Sequence, residues 1–191
     1  SLKSLFADRQ REILNWLIEN NIRQAEEAYR RVYDENGALM RFLIDVGVPL
    51  PPAFRFAAEY VIDSELRRVL AADALDLELA RSLLEQAEAI TAELDGRGLG
   101  FAVQHALERL VRHVRQDPEC ERALEQLAEF STLAKTLPFE MDRWRVQNEF
   151  YAMVNEVYPG FAERARHGDD DARRWVKLFA GIGEQLAVAV P

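Results

Sequence analysis

The chain has 191 residues, enough for one domain with a substantial core, and its 49% hydrophobic content against 30% charged excludes a disordered polymer. The net charge is −9, and the basic residues are mixed with acidic ones in runs no longer than two, which argues against nucleic acid and anionic lipid as partners. A lone cysteine, Cys120, permits no internal disulfide, and no apolar stretch approaches the ~20 residues needed to cross a bilayer. In chain order, Ser4 reads as the cap of a helix from Leu5 to about Tyr33, with an apolar stripe of Leu14, Ile18, Ile22, Ala25, Tyr29 and Val32. Asp34-Glu35-Asn36-Gly37 predicts a break before a short helix, Ala38 to Val46, which the proline cluster Pro49, Pro51 and Pro52 stops. The next helix spans Ala53 to Ala72, with a possible interruption at Asp63-Ser64.

Asp76 caps a helix predicted over Leu77 to Leu94, ended by Asp95-Gly96-Arg97-Gly98. Phe101 to Arg115 reads as the fifth main helix. Asp117-Pro118 predicts the start of another, a capping side chain followed by proline at the first helical position, running to about Thr136. After Leu137-Pro138-Phe139, the pattern gives a helix over Glu140 to Tyr158, a short one over Phe161 to Arg166 behind Pro159-Gly160, and a last one from Asp170 to about Ala187. No segment alternates cleanly enough for a strand. The whole chain, 1–191, therefore reads as a single all-α domain, a multi-helix bundle of about seven to nine helices, mostly antiparallel because the linkers are short.

A search for chemistry in the sequence assigns no catalytic residue, no cofactor site and no metal site. His105 and His113 are eight residues apart on one helix, too far along its axis to share an ion, and read as solvent-facing. Gly96-Arg97-Gly98-Leu99-Gly100 follows a helix and lacks the Lys-Ser/Thr of a nucleotide loop, so it reads as a helix–helix linker. Glu140 with Asp142, and Asp169-Asp170-Asp171, fall in opening helical turns, where carboxylates suit the helix dipole. Cys120 reads as a small, half-buried helix residue.

The tryptophans are more informative. Trp175 shares a face with Leu178, Phe179, Ile182 and Leu186 and belongs to the core. Trp144 borders the apolar arc of its helix, with Asn148 and Tyr151 one and two turns on. Arg143 and Gln147 lie near the middle of that arc, where they either join a structural network or line a groove. Trp16 sits nearly opposite the stripe of Leu14, Ile18, Ala25 and Tyr29, among Glu19, Asn20, Arg23 and Glu27. A large aromatic on a polar face marks either a contact surface or a position covered by another helix of the bundle. Trp16, Asn20, Arg23, Arg143, Trp144, Gln147 and Asn148 are accordingly the candidate interaction residues.

Four stretches carry a family resemblance. They are residues 4–14 (SLFADRQREIL), 28–36 (AYRRVYDEN), 41–51 (RFLIDVGVPLP) and 137–148 (LPFEMDRWRVQN). With them the chain resembles an uncharacterised helical domain found at the C-terminal end of bacterial and archaeal proteins similar to glycoside hydrolase family 57. The resemblance implies an accessory domain whose partner is an upstream catalytic domain of the same chain. That enzyme family acts on α-glucan with two carboxylates on a barrel, in a retaining mechanism, and neither carboxylate motif occurs here. The absence of an initial Met in Ser-Leu-Lys-Ser-Leu-Phe predicts a true start elsewhere, and the expected location is cytoplasmic. Three readings follow from these observations: a non-catalytic domain packing on and shaping the catalytic part, a carbohydrate-binding module using surface aromatics, or an independent homo-oligomerising bundle.

Overall fold

The computed structural model describes residues 2–137, 139 and 141–191, with side chains from residue 9 onward. Among the described residues the chain is all-α, with eight helices and no strand, within the expected seven to nine. They are α1 (Leu2–Asp45), α2 (Pro52–Ala71), α3 (Leu77–Ala89), α4 (Gly96–Gln116), α5 (Glu121–Thr136), α6 (Trp144–Glu156), α7 (Tyr158–Arg166) and α8 (Asp170–Leu186).

The largest departure from the sequence pattern is α1, which runs unbroken through Asp34–Gly37. A glycine inside a helix costs about 1 kcal/mol. Here burial of Met40 and half-burial of Tyr33 and Ile44 on the same helix offset it, and Asn36 Nδ2 donates to the carbonyl of Val32 (2.8 Å). Ser4 falls inside the helix, not at its cap, and its side chain lies outside the described residues. α2 likewise continues through Asp63-Ser64.

Helix ends follow local chemistry. Asp76 Oδ1 accepts the N–H of Leu79 (3.0 Å), the cap expected for α3. That helix ends at Ala89, earlier than the pattern implies, because Thr91 turns left-handed (φ 49°) and Ala92 N–H bonds back to Ala87 O (2.9 Å). Asp117-Pro118 does not start α5. Asp117 closes α4 with its N–H on His113 O, and its own carbonyl accepts from Cys120, so α5 begins one turn later at Glu121. α6 begins at Trp144, whose N–H is held by Asp142 Oδ1 (3.0 Å), while Glu140 and Pro138 lie outside the described residues. Pro159 and Gly160 fall in the first turn of α7, a position that needs no proline N–H.

The residues gather into two compact units, 1–65 with 82–94, and 66–81 with 95–191. The first is small. Its buried set includes Met40, Ala57, Ala58, Val61, Ile62 and Leu83, and the Tyr29 and Tyr60 rings lie 5.1 Å apart. Tyr60 donates to Glu26 Oε1 (2.6 Å), and burial together with this bond pushes its phenol up to about 12.

The second unit holds most of the large buried side chains, among them Phe130, Phe150, Phe179, Leu107 and Leu124. α8 packs on α5, α6 and α7, and α4 packs on α5 and α6. Trp175 is core, as its periodicity predicts, stacked between Phe161 (4.0 Å) and Phe179 (4.6 Å) with Nε1 donating to Pro118 O (2.8 Å). Phe179 in turn stacks on Phe150 at 4.4 Å. Polar side chains secure the chain between helices: Arg109 donates to the carbonyls of Leu70 and Ala72, and Gln126 to that of Leu75.

Candidate interaction surfaces

The candidate residues fall into two groups, one in each unit. Trp16, Asn20 and Arg23 lie on α1. Arg143, Trp144, Gln147 and Asn148 lie at and within the start of α6.

α6 buries Val146, Phe150, Met153 and Val154 on one face. Trp144 (67% exposed), Asn148 and Tyr151 (58%) occupy the other, at spacings of four and three. Seven residues at 1.5 Å rise place Trp144 and Tyr151 about 10.5 Å apart along the axis, with the amide of Asn148 between. Gln147 belongs to the structural network: its Nε2 donates to Leu186 O (2.8 Å), satisfying a carbonyl in the last turn of α8. Arg143 is half-buried immediately before the helix.

On α1 the apolar stripe is exposed through Tyr29: Leu14 55%, Ile18 54%, Ile22 52%, Tyr29 41%. Ile13, Leu17 and Trp16 are exposed as well, and of residues 9–31 all but Asn20 are exposed. At 100° per residue these apolar side chains span an arc of about 180°, with Trp16 beyond one edge. Trp16 is therefore not covered by a bundle helix, and Arg23 donates to Asn20 Oδ1 (2.8 Å) beside it.

The glycine-rich segment forms the first turn of α4, not a linker, and its N-terminus is filled by the chain's own carboxylate. Asp95 Oδ1 accepts from Gly98 N–H (3.1 Å) and Oδ2 from Arg67 (2.6 Å). The Gly98 bond first, then Arg67, holds the Asp95 carboxyl below its usual value. A Cβ at Gly98 would displace the end of the flexible Arg67 side chain from its place on Asp95.

Glu108, which the sequence reading passed over, is buried. Gln104 Nε2 donates to one oxygen (2.9 Å) and His105 Nδ1 lies 3.5 Å from the other. On the helical wheel Glu108 falls well away from Leu107 and Leu110, so the periodicity carried no signal for its burial. His113 is exposed, as expected. Among the described residues no group of three His, Cys, Asp or Glu side chains is placed to hold a metal, and no helix is long and apolar enough to cross a membrane. An open groove of about 430 Å³ between α5 and α8 is lined by side chains of both signs, Glu121 and Glu125 facing Arg174 and Lys177, with Arg174 3.6 Å from Glu121.

Comparison with known proteins returns no matching family model, no matching curated protein and no matching solved structure.

Proposed function

We propose that the chain is a non-catalytic accessory domain of a glycoside hydrolase family 57-like protein, packing on the catalytic part and helping to wall its cleft. The observation that carries this reading is the ridge of Trp144, Asn148 and Tyr151 on the solvent side of α6. Two large aromatic rings kept in water, with a hydrogen-bonding amide between them, form a surface suited to a partner: the rings supply contact area at low entropic cost and the amide supplies orientation. The partner class comes from the resemblance of residues 4–14, 28–36, 41–51 and 137–148 to the helical domain of that family.

Calorimetric titration of the chain against the separately expressed catalytic part tests the reading. Saturable binding is expected, weakened roughly tenfold or more by Trp144→Ala, as for a central aromatic anchor. A well-folded chain that gives no heat against the catalytic part sinks it.

The same ridge supports a second reading, a carbohydrate-binding module. Rings carried on residues about 10.5 Å apart along the helix axis present two stacking platforms for a sugar chain, with Asn148 positioned to hydrogen-bond between them. Tryptophan fluorescence during titration with malto-oligosaccharides separates the two. A shift that Trp144→Ala abolishes favours direct sugar binding, and an unchanged spectrum at high ligand counts against it.

A further inference from the structure

The first unit contains a cleft of about 410 Å³ between the C-terminal half of α1, α2 and the end of α3. Its walls are mainly aliphatic. Met40, Ala58 and Ile62 are buried against it, and Ile44, Leu50 and Ile90 are half-buried around it. Sites for small molecules span roughly 300–1,000 Å³, with apolar walls and a few placed polar groups. We propose that this cleft binds an aliphatic carboxylate, with its tail among the apolar walls and its head on Arg41.

Arg41 is the cation of the site. Its Nη1 reaches back one turn, to 3.8 Å from where a Cβ on Gly37 would stand, and both residues line the cleft. Among the described residues Arg41 makes no ion pair and no hydrogen bond. A guanidinium offers a carboxylate two parallel N–H groups, a match in shape as well as charge.

Gly37 keeps this end open. Glycine is a poor residue for a helix interior, yet α1 carries one here. Outside the backbone of α1, the Arg41 nitrogen is the one atom within 4 Å of its would-be Cβ, so packing inside the chain leaves room for a side chain. Beside it the Tyr33 hydroxyl donates to Gln86 Oε1 (2.8 Å), joining α1 to α3 along the rim. Burial raises the Tyr33 phenol above its ordinary value and the Arg41 charge opposes that rise, as a guanidinium near the hydroxyl must.

The carboxylates nearby leave the Arg41 end positive. Asp34, which also acts on Tyr33, is exposed and lies off the cleft wall. Asp45 lines the cleft eight residues beyond Gly37, about 12 Å along the axis, farther than the ~8 Å over which charges act in physiological salt. Apart from Tyr33 no aromatic ring lines the cleft, so its walls suit a methylene chain, to which Met40 can adapt.

Calorimetric titration of the 191-residue chain with decanoate, decanol and decyltrimethylammonium holds the tail constant and changes the head. Decanoate is expected to bind saturably, roughly tenfold or more tightly than the other two, and to shift the methyl resonances of Met40, Ile44, Ile62 and Ile90. Arg41→Gln lowers decanoate affinity about tenfold and leaves decanol unchanged. Gly37→Leu fills the head end and abolishes decanoate binding, with circular dichroism unchanged because leucine suits a helix better than glycine. Trp144→Ala leaves decanoate binding unaffected, so failure here and failure of the α6 reading are told apart. No saturable binding of decanoate overturns the proposal, as does an affinity no greater than that of the other two heads. Decanoate binding that survives either Arg41→Gln or Gly37→Leu undiminished overturns it too. Binding that Ile18→Glu abolishes places the tail on the exposed stripe of α1 instead, and equally overturns it.

Discussion

Four helix ends in this chain close with the same hydrogen-bond pattern, and the residue that must turn left-handed differs among them. Gly47 (φ 70°) and Gly168 (φ 98°) end α1 and α7, whereas Thr91 (φ 49°) and Ala187 (φ 58°) end α3 and α8. A side chain in that region costs about 1 kcal/mol, and a β-branched one is an outlier. Gly47→Ala is therefore expected to lower stability by about 1 kcal/mol, since no atom lies within 4 Å of the new Cβ and the backbone alone sets the effect. Ala187→Gly and Thr91→Gly should each raise stability by about 0.5–1 kcal/mol, net of the added freedom of glycine in the unfolded chain. Urea midpoints measured on the three variants check the signs together. The two glycine ends are visible in the sequence as Asp45-Val46-Gly47 and His167-Gly168; the other two are not, because threonine and alanine carry no signal for a conformation they disfavour.

At the scale of elements, capping carboxylates mark two starts and make them sensitive to acid. Asp95 caps α4 through Gly98 N–H, and Asp169 caps α8 through Ala172 N–H (3.0 Å), with Arg164 on its other oxygen (2.9 Å). The backbone bond first and the arginine second hold each carboxyl below its ordinary value. A carboxyl depressed in the folded state contributes stability above its unfolded value of 3.8, and that contribution is lost as pH falls through the folded value. Thermal midpoints taken from pH 6 down to pH 3 should therefore fall at the acid end. The double variant Asp95→Asn, Asp169→Asn, which keeps a capping oxygen but not the charge, should fall less steeply. Asp169 is legible as a cap because the periodic segment starts right after it. Asp117-Pro118 carries the same signature and misleads, because closing α4 and lending the Pro118 carbonyl to Trp175 outweigh an early start for α5.

Across the whole molecule, apolar surface is unevenly used. Phe130, fully buried in the second unit, and Ile18, more than half exposed in the first, look alike in a periodicity analysis. Phe130→Ala is expected to cost about 3–5 kcal/mol. Ile18→Ala, measured at low protein concentration, should stay within about 0.5 kcal/mol. Equilibrium denaturation of the two variants tests the contrast. Helical class and most boundaries were readable because they depend on residues a few positions apart. The exposure of Leu14, Ile18 and Ile22 was not, because a hydrophobic stripe states that a face wants covering and is silent on which surface covers it. Gln147 was ambiguous for the same reason: only the folded chain brings the Leu186 carbonyl to it.

The continuity of α1 through Asn36-Gly37 has a consequence for how its free half stays ordered. The packed stretch around Tyr33, Met40 and Ile44 acts as a formed helix nucleus, so each turn toward residue 9 only propagates, at nearly zero free energy per residue. Such a segment behaves as a zipper fastened at one end: it unravels from its N-terminal side and closes again in steps. Whatever settles on Ile18 biases that zipper toward closure, turning occupancy of one face into a length of ordered helix. The far-ultraviolet ellipticity of the chain should therefore deepen as the face fills, and a break introduced at Gly37 by proline should uncouple the two.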